Sequence, residues 1–269
     1  MSDLSNYKAV ILCGGQGTRI RGVAEDKPKP LIEIGGKPIL WHIMKTYSAY
    51  GVKKFVLALG YQGDKIVDYF ENYHARNHDF TMKINDRSNK AFNYEDRKIG
   101  DSDVDDWEIT FAFTGVPTMT GGRVKRIKKY IQEDKFFVTY GDGVSDIDLP
   151  ELYNYHMSHG KIATLTGVNL PTTFGIVETN GDNLITSFRE KPVMDGFING
   201  GYFVFNSEIF DYIDGDDCVL ENKPFKRLVR EGQLHMFKHP GFWHCMDHYK
   251  DYQTLNGLWD NNKAPWNIW

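Results

Sequence analysis

Cysteine is scarce in this chain of 269 residues. Cys13, Cys218 and Cys245 are scattered and odd in number, which argues against a disulfide framework and predicts reduced thiols in a cytoplasmic setting. Long apolar runs are missing too: none approaches the roughly 18 residues of a spanning helix. Met1–Tyr7 is too polar for a signal peptide, so no membrane association is expected. An excess of positive charge is also absent. The formal net charge is −4, which argues against nucleic-acid binding as a general property. There is no internal repeat and no low-complexity tract. Apolar content of 41% and charged content of 25% describe an ordinary globular chain, long enough to bury a full core.

What is present is concentrated near the start. Lys8–Cys13 reads as an apolar strand running into Gly14-Gly15-Gln16-Gly17-Thr18-Arg19, with Lys27-Pro28-Lys29-Pro30 close behind. Glycines remove side chains where backbone N–H groups must approach a ligand, and a run of such groups makes an anion-binding concavity. Two familiar glycine loops do not fit. A Walker A loop ends in Gly-Lys-Ser/Thr, and this one ends Gly17-Thr18-Arg19. A dinucleotide fingerprint needs Gly or Ala where this chain has Ile20, and it needs a crossover helix that Pro28, Pro30 and Pro38 forbid. That speaks against a nicotinamide oxidoreductase. A bare Gly-Gly-x-Gly is also compatible with a structural turn, but Arg19 and Lys29 add fixed cations suited to a polyphosphate.

Beyond the loop, strand and helix patterns alternate. Ile39–Tyr50 and Gln62–Tyr73 carry helical periodicity around a strand at Phe55–Leu59. Trp107–Phe113 and Phe136–Tyr140 read as further strands, and Gly122–Ile131 as one amphipathic helix. This predicts an α/β fold: a Rossmann-like, mostly parallel mixed sheet with helices on both faces. From about residue 161 the texture turns to short strands and turns, a β-rich part that closes with helices near Phe225–Glu231 and Tyr249–Trp259. The expected organisation is a single domain with a nucleotide-binding half over about 8–160 and an acceptor-binding half over about 161–269. Residues 85–106 are polar and aperiodic, which suits a solvated insertion or a flap over the site.

Several side chains are placed for chemistry. Asp142, between Gly141 and Gly143, follows a predicted strand, the edge where open α/β sheets bind ligands and where a carboxylate can hold a metal. Magnesium usually takes one or two carboxylates plus phosphate oxygens. Asp146 and Asp148 read as an N-cap region before a helix with Pro150 in its first turn. His244-Cys245-Met246-Asp247-His248 resembles a zinc ligand set, but no second ligand pair accompanies it; Asp247 is better read as the second magnesium carboxylate. Arg123, after Thr120-Gly121-Gly122, is expected to meet an anion at a helix N-terminus. Glu190, Lys191 and Asn199 are suited to a phosphorylated, hydroxyl-rich molecule, Lys191 for the phosphate and the other two for hydroxyls.

Taken together these motifs resemble the sugar-phosphate nucleotidyltransferases. The pieces are Gly14-Gly15-x-Gly17-Thr18-Arg19, Lys27–Pro30, Gly35–His42, Met119–Arg123, Thr139–Gly143, Phe188-x-Glu190-Lys191-Pro192, Ile198–Gly201 and Gly241–Asp247, running in order to a Lys263-Ala264-Pro265-Trp266 tail. The Lys-Pro-Lys-Pro, Thr-Gly-Gly-Arg and Gly-Phe-Trp pieces are similar to the cytidylyltransferase branch that acts on glucose 1-phosphate. The resemblance implies a Mg²⁺-dependent reaction of CTP with a small phosphorylated acceptor, giving a CDP-linked product and pyrophosphate for surface-glycan synthesis, in a homo-oligomer. It implies that Arg19 and Lys29 stabilise the triphosphate and that Asp142 and Asp247 hold Mg²⁺. Leu12, Gly14, Gly15, Gly17, Thr18, Arg123, Tyr140 and Gly141 would contact the nucleotide. Thr173, Gly175, Glu190, Lys191, Asn199, His244 and His248 would face the acceptor.

The chain departs from that branch on the acceptor side. Thr172-Thr173 stands where the branch carries Gly-Arg, and His244, Cys245 and His248 stand in place of Gln, Pro and Thr. Loss of a multi-donor arginine fork predicts an acceptor other than glucose 1-phosphate. Two other readings remain open at this stage: the same chemistry on a non-sugar phosphate, such as a phosphorylated amino acid derivative, and a nucleotide-binding regulator without turnover.

Overall fold

In a computed structural model the described residues are 3–15, 27–73, 106–172 and 174–269. Gly17, Thr18, Arg19 and Thr173 lie outside them, as does the polar insertion from 85 to 105. The strands are β1 (Lys8–Cys13), β2 (Glu33–Ile34), β3 (Lys37–Pro38), β4 (Lys54–Leu59), β5 (Glu108–Phe113), β6 (Lys135–Tyr140) and β7 (Gly143–Ser145). They continue with β8 (Ala163–Val168), β9 (Ile176–Thr179), β10 (Ile185–Arg189), β11 (Ile198–Asn206), β12 (Leu234–His239) and β13 (Trp243–Cys245). Helices are α1 (Ile39–Ala49), α2 (Gly63–Glu71), α3 (Thr120–Arg126), α4 (Leu149–His159), α5 (Lys223–Arg230) and α6 (Tyr249–Asp260).

Seven strands form one sheet in the order β12-β8-β11-β6-β1-β4-β5. All its pairings are parallel except the two that β11 makes, with β6 and β8. The α/β class and the mixed, mostly parallel sheet are as the sequence predicts. β1 is the axis: Ala9 pairs with Phe55 on one side and Phe137 on the other. Its alternate side chains feed two cores, Ala9, Ile11 and Cys13 into one and Val10 and Leu12 into the other. A strand covered on both faces must be apolar throughout, which is why β1 reads as an unbroken hydrophobic run.

Local chemistry explains most boundaries. Asp148 caps α4, its carboxylate accepting from the Glu151 N–H at 2.8 Å, and Gly160 in the left-handed region ends the helix. Asp146 does not share in that cap: it accepts from the Phe242 N–H at 2.7 Å and lies 3.0 Å from His239 Nε2. The stretch expected as one helix over Gly122–Ile131 starts at Thr120 and tightens into a 3₁₀ turn over Ile127–Tyr130. Strands β8, β11 and β12 of the second half join the main sheet, while β9 and β10 form a separate two-stranded ribbon. Among the described residues no helix is long and apolar enough to cross a membrane.

The tail closes the core. Trp266 is fully buried and its indole N–H donates to His42 Nδ1 at 3.3 Å, while His42 Nε2 faces the Ile34 carbonyl at 2.9 Å. Those partners define a neutral imidazole with its proton on Nε2. The rings of Trp41 and Trp259 meet it edge-on at 5.2 and 4.6 Å. Burial pulls the His42 pKa from 6.5 down to about 4.

The folded value lies below the unfolded one, so as pH falls the unfolded chain takes up the proton first. Stability from this residue is therefore lost between about pH 6.5 and 4, by about 2 kcal/mol at pH 5 relative to pH 7. In urea unfolding, His42→Gln should be less stable than wild type at pH 7 and lose less on moving to pH 5. An equal pH dependence in the two proteins would show that His42 is not the group responsible.

Candidate active site

The chain leaves β1 toward β4 and later returns on the opposite side as β6. Loops following β1 and β6 therefore diverge and leave a crevice at the carboxyl ends of the strands. A cavity of about 620 Å³ occupies it. The sequence-predicted residues Leu12, Gly14, Gly15, Lys29, Arg123, Tyr140, Gly141, Asp142 and Asp247 all line its walls. Gly141 is required by close approach: a Cβ there would come within 3.1 Å of the Leu12 carbonyl and 3.2 Å of Pro30.

At one end of the cavity three charges converge. Lys29 Nζ donates to Asp142 Oδ2 and to Asp247 Oδ1, each at 2.5 Å. Asp142 comes from the turn after β6, Asp247 from the turn between β13 and α6, and Lys29 from a short 3₁₀ turn over Lys29–Leu31. Burial alone would lower the Lys29 pKa, but the two carboxylates outweigh it and hold it up. Lys27 turns away and pairs with Glu33 at 2.8 Å on the exposed side. Among the described residues no group of three or more His, Cys, Asp or Glu side chains is arranged to hold a metal ion. The Cys245 thiol, 3.7 Å from Asp247, is pushed up to about 12 by burial and then by the Asp247 and Asp142 charges. Such a thiol stays protonated at neutral pH and is not a thiolate nucleophile there.

Asp251, which sequence reasoning passed over, holds the Asp247 turn. Its Oδ2 accepts from the Asp247 N–H at 3.0 Å and the His248 N–H at 2.7 Å, and its Oδ1 lies 3.1 Å from His244 Nε2. The signal was present as a capping-box pair, His248 at the cap of α6 and Asp251 three residues on.

Arg123 corrects an expectation. Its guanidinium does not stand open at a helix N-terminus but is buried and spent on the protein. One terminal nitrogen, Nη1, donates to the Leu59 carbonyl at 3.1 Å, Thr114 Oγ1 at 2.6 Å and the Gly115 carbonyl at 2.9 Å. The other, Nη2, reaches the Gly14 carbonyl at 3.0 Å and the Val116 carbonyl at 3.3 Å. Gly14 is a glycine because a Cβ there would overlap that guanidinium. Arg123 thus shapes the glycine loop from behind.

On the far wall, Tyr140 Oη donates to Glu221, whose second oxygen accepts from Thr120 Oγ1 at 2.8 Å. Asn199 Nδ2 reaches Tyr140 Oη at 3.5 Å. Asn199 therefore borders the cavity through Tyr140, and Glu221, which supports the lining residues Tyr140 and Thr120, carries no short-range signal in the sequence. The other acceptor-side residues stand apart. Glu190 and Lys191 are exposed beyond β10 and face each other at 3.8 Å, and Gly175 packs against Phe188 of the same ribbon. His244 is engaged by Asp251, and exposed His248 caps α6. None of the four lines the cavity, nor does Gly175.

Comparison with known proteins adds the following. Residues 8–256 match the family described as Nucleotidyl transferase. The glucose-1-phosphate cytidylyltransferase of Salmonella typhimurium is 45% identical over 264 residues, covering 97% of this chain and 99% of that protein. A mannose-1-phosphate guanyltransferase of Schizosaccharomyces pombe is 31% identical over 92% of this chain and 62% of its own length. Among solved structures, HddC from Yersinia pseudotuberculosis superposes with a TM-score of 0.68 at 25% identity, covering 94% of this chain and 99% of that one.

The Arg123–Gly14 contact generates a test. Arg123→Ala strands several buried acceptors and should cost about 3 kcal/mol; Gly14→Ala forces an overlap and should cost about 1–3 kcal/mol. Because the three atoms nearest an alanine Cβ at residue 14 all belong to the guanidinium, the double variant should fall short of the summed costs by about 1 kcal/mol or more in denaturant titration. Strict additivity would mean that the two groups do not meet.

Proposed function

The chain belongs to the nucleotidyl transferase family, and from that premise we propose that it transfers the cytidylyl group of CTP to a sugar 1-phosphate. The observation that carries this reading is the meeting of Lys29, Asp142 and Asp247 at the end of a cavity walled by the glycine loop. In the reaction an acceptor phosphate oxygen bonds to the α-phosphorus of CTP as the bond to the β-phosphate oxygen breaks, and pyrophosphate leaves. Two anions must be brought together, so positioning and charge neutralisation are what the protein has to supply. Gly14 and Gly15 let backbone approach the triphosphate, and Lys29 and Arg19 carry the charge that offsets it. Glu221 and Thr120 hold the wall on which Tyr140 sits, and Asn199 extends that wall toward the acceptor.

Asp142 and Asp247 fit magnesium. Two carboxylates sharing one cation are a donor set this ion takes, and the Lys29 ammonium, bonded to both, is its stand-in here. Bound by them, Mg²⁺ would supply neutralisation of phosphate charge. Cytidine as the base is supported by the 45% identity to an enzyme named for cytidylyl transfer. Against the expectation of another acceptor, the 45% identity to a glucose-1-phosphate cytidylyltransferase supports glucose 1-phosphate, while His244 is engaged by Asp251 and His248 caps a helix. Thr172 donates to the Phe174 carbonyl within its own turn. We therefore take glucose 1-phosphate as the first acceptor, in nucleotide-sugar synthesis for surface glycans in the cytoplasm.

A homo-oligomer is part of the same proposal. The ribbon of β9 and β10 leaves Phe174, Leu184, Ile185 and Phe188 79, 66, 59 and 63% exposed. Monomers rarely leave so many neighbouring apolar groups in water, and a standard interface covers about 800 Å² per partner. We assign this ribbon to a second copy of the chain.

Pyrophosphate release with CTP and glucose 1-phosphate should give kcat/KM above roughly 10⁴ M⁻¹s⁻¹, ordinary for a true substrate. Much lower values beside a faster phosphate in an acceptor panel would restore the other-acceptor expectation. Lys29→Ala and Arg19→Ala should each lower kcat by about 10²-fold, the loss of roughly 3 kcal/mol typical of one electrostatic donor; near-normal turnover in Lys29→Ala would remove its catalytic assignment. Leu184→Asp combined with Phe188→Glu should reduce the sedimenting mass to that of one chain, whereas a wild-type protein that already sediments as a monomer would refute the oligomer.

A further inference from the structure

Lys29 stands where the cation between Asp142 and Asp247 belongs, and the two cannot hold that position together. We infer that the site is an exchange seat: without nucleotide the Lys29 ammonium fills it, and the divalent ion enters as the triphosphate draws the ammonium onto itself. The inference rests on the reading of Asp142 and Asp247 as metal ligands and adds an order to it.

Geometry comes first. Nζ is 2.5 Å from one oxygen of each aspartate. A magnesium ion bonded to either oxygen at about 2.1 Å would lie within about 5 Å of Nζ. A monocation and a dication that close, in a half-buried cleft, repel strongly. Charge gives the same answer. The two carboxylates carry −2, which a dication alone balances. Lysine and dication together overshoot, until a triphosphate supplies the missing negative charge.

The frame allows only the side chain to move. Pro28 and Pro30 fix the backbone on both sides of Lys29, and the turn is closed by the Leu31 N–H on the Pro28 carbonyl at 2.8 Å. The Asp142 carbonyl accepts from the Met246 N–H at 2.8 Å, which ties the two aspartate turns together, and Asp251 holds the Asp247 N–H at 3.0 Å. Against these fixed points a lysine swings on a flexible four-carbon stem, a freedom that a guanidinium locked by five contacts lacks. Lys29 also lines the cavity itself, so its path from the carboxylates to a bound phosphate needs no rearrangement of the backbone.

The consequence is reciprocal: in the nucleotide-free enzyme the lysine opposes the metal. The test uses Mn²⁺ alone as the probe, its free concentration followed by electron paramagnetic resonance during titration of the nucleotide-free full chain. Lys29→Met should bind Mn²⁺ at least 10-fold more tightly than wild type, and Asp142→Asn added to Lys29→Met should abolish that gain. Lys27→Met removes the same charge two residues away, where it pairs with Glu33, and should change the affinity less than 3-fold. Circular dichroism checks folding, with Lys29→Gln as the second variant if Lys29→Met is unfolded. Wild type and Lys29→Met binding equally, both through Asp142, would overturn the exchange while leaving the metal ligands in place. Binding indifferent to Asp142 in every protein would overturn the ligand reading itself. An equal gain in Lys27→Met would reduce the effect to net charge and sink the exchange.

Discussion

One buried guanidinium sets the shape of the cleft. Parallel strands end in carbonyl groups that have no partner once neighbouring chains diverge, and such groups are costly if left unpaired away from water. At the carboxyl ends of β1, β4 and β5 Arg123 donates to the Gly14, Leu59, Gly115 and Val116 carbonyls from one side chain, beside the Tyr61 N–H on Gly14 and the Thr114 N–H on Leu59. Lysine, with a point charge and three donors, cannot span that spread. The carbonyl of Gly14, where the glycine loop begins, is thereby held from behind.

The opposite wall is secured differently. Tyr140, Glu221, Thr120 and Asn199 form a chain of hydroxyl, carboxylate and amide between β6, α3 and β11. Burial and then the Glu221 charge push the Tyr140 hydroxyl's pKa upward, so it remains a donor. Gly201, at φ +75°, gives the Tyr140 ring room that no other residue would leave. One wall is thus fixed by a cation on carbonyls, the other by a carboxylate on hydroxyls, and the mobile charges sit between them.

Much of this was legible before any coordinates because it is encoded locally. The apolar run of β1, its glycines, the prolines around Lys29 and an aspartate directly after β6 each declare themselves within a few residues. A sheet edge then brings them together by topology alone. What escaped is encoded at long range. Arg123 looked like an anion ligand because its five acceptors are scattered over three strand ends; Glu221 drew no attention because Tyr140 is 81 residues away. The acceptor-side residues were motif neighbours, and the fold put Glu190 and Lys191 on a ribbon outside the main sheet while it gave His244 to Asp251.

The contact between Trp266 and His42 spans 224 residues. Helix α1 is buried on nearly every face, because the sheet takes one side and the returning tail takes another. During synthesis that second side has nothing to pack against until Trp266 has left the ribosome. Non-local closure of this kind slows folding and leaves apolar surface waiting in the meantime. The nucleotide-binding half therefore cannot finish folding ahead of the rest, and a nascent chain stalled short of Trp266 would present α1 to chaperones as a substrate rather than as a finished helix.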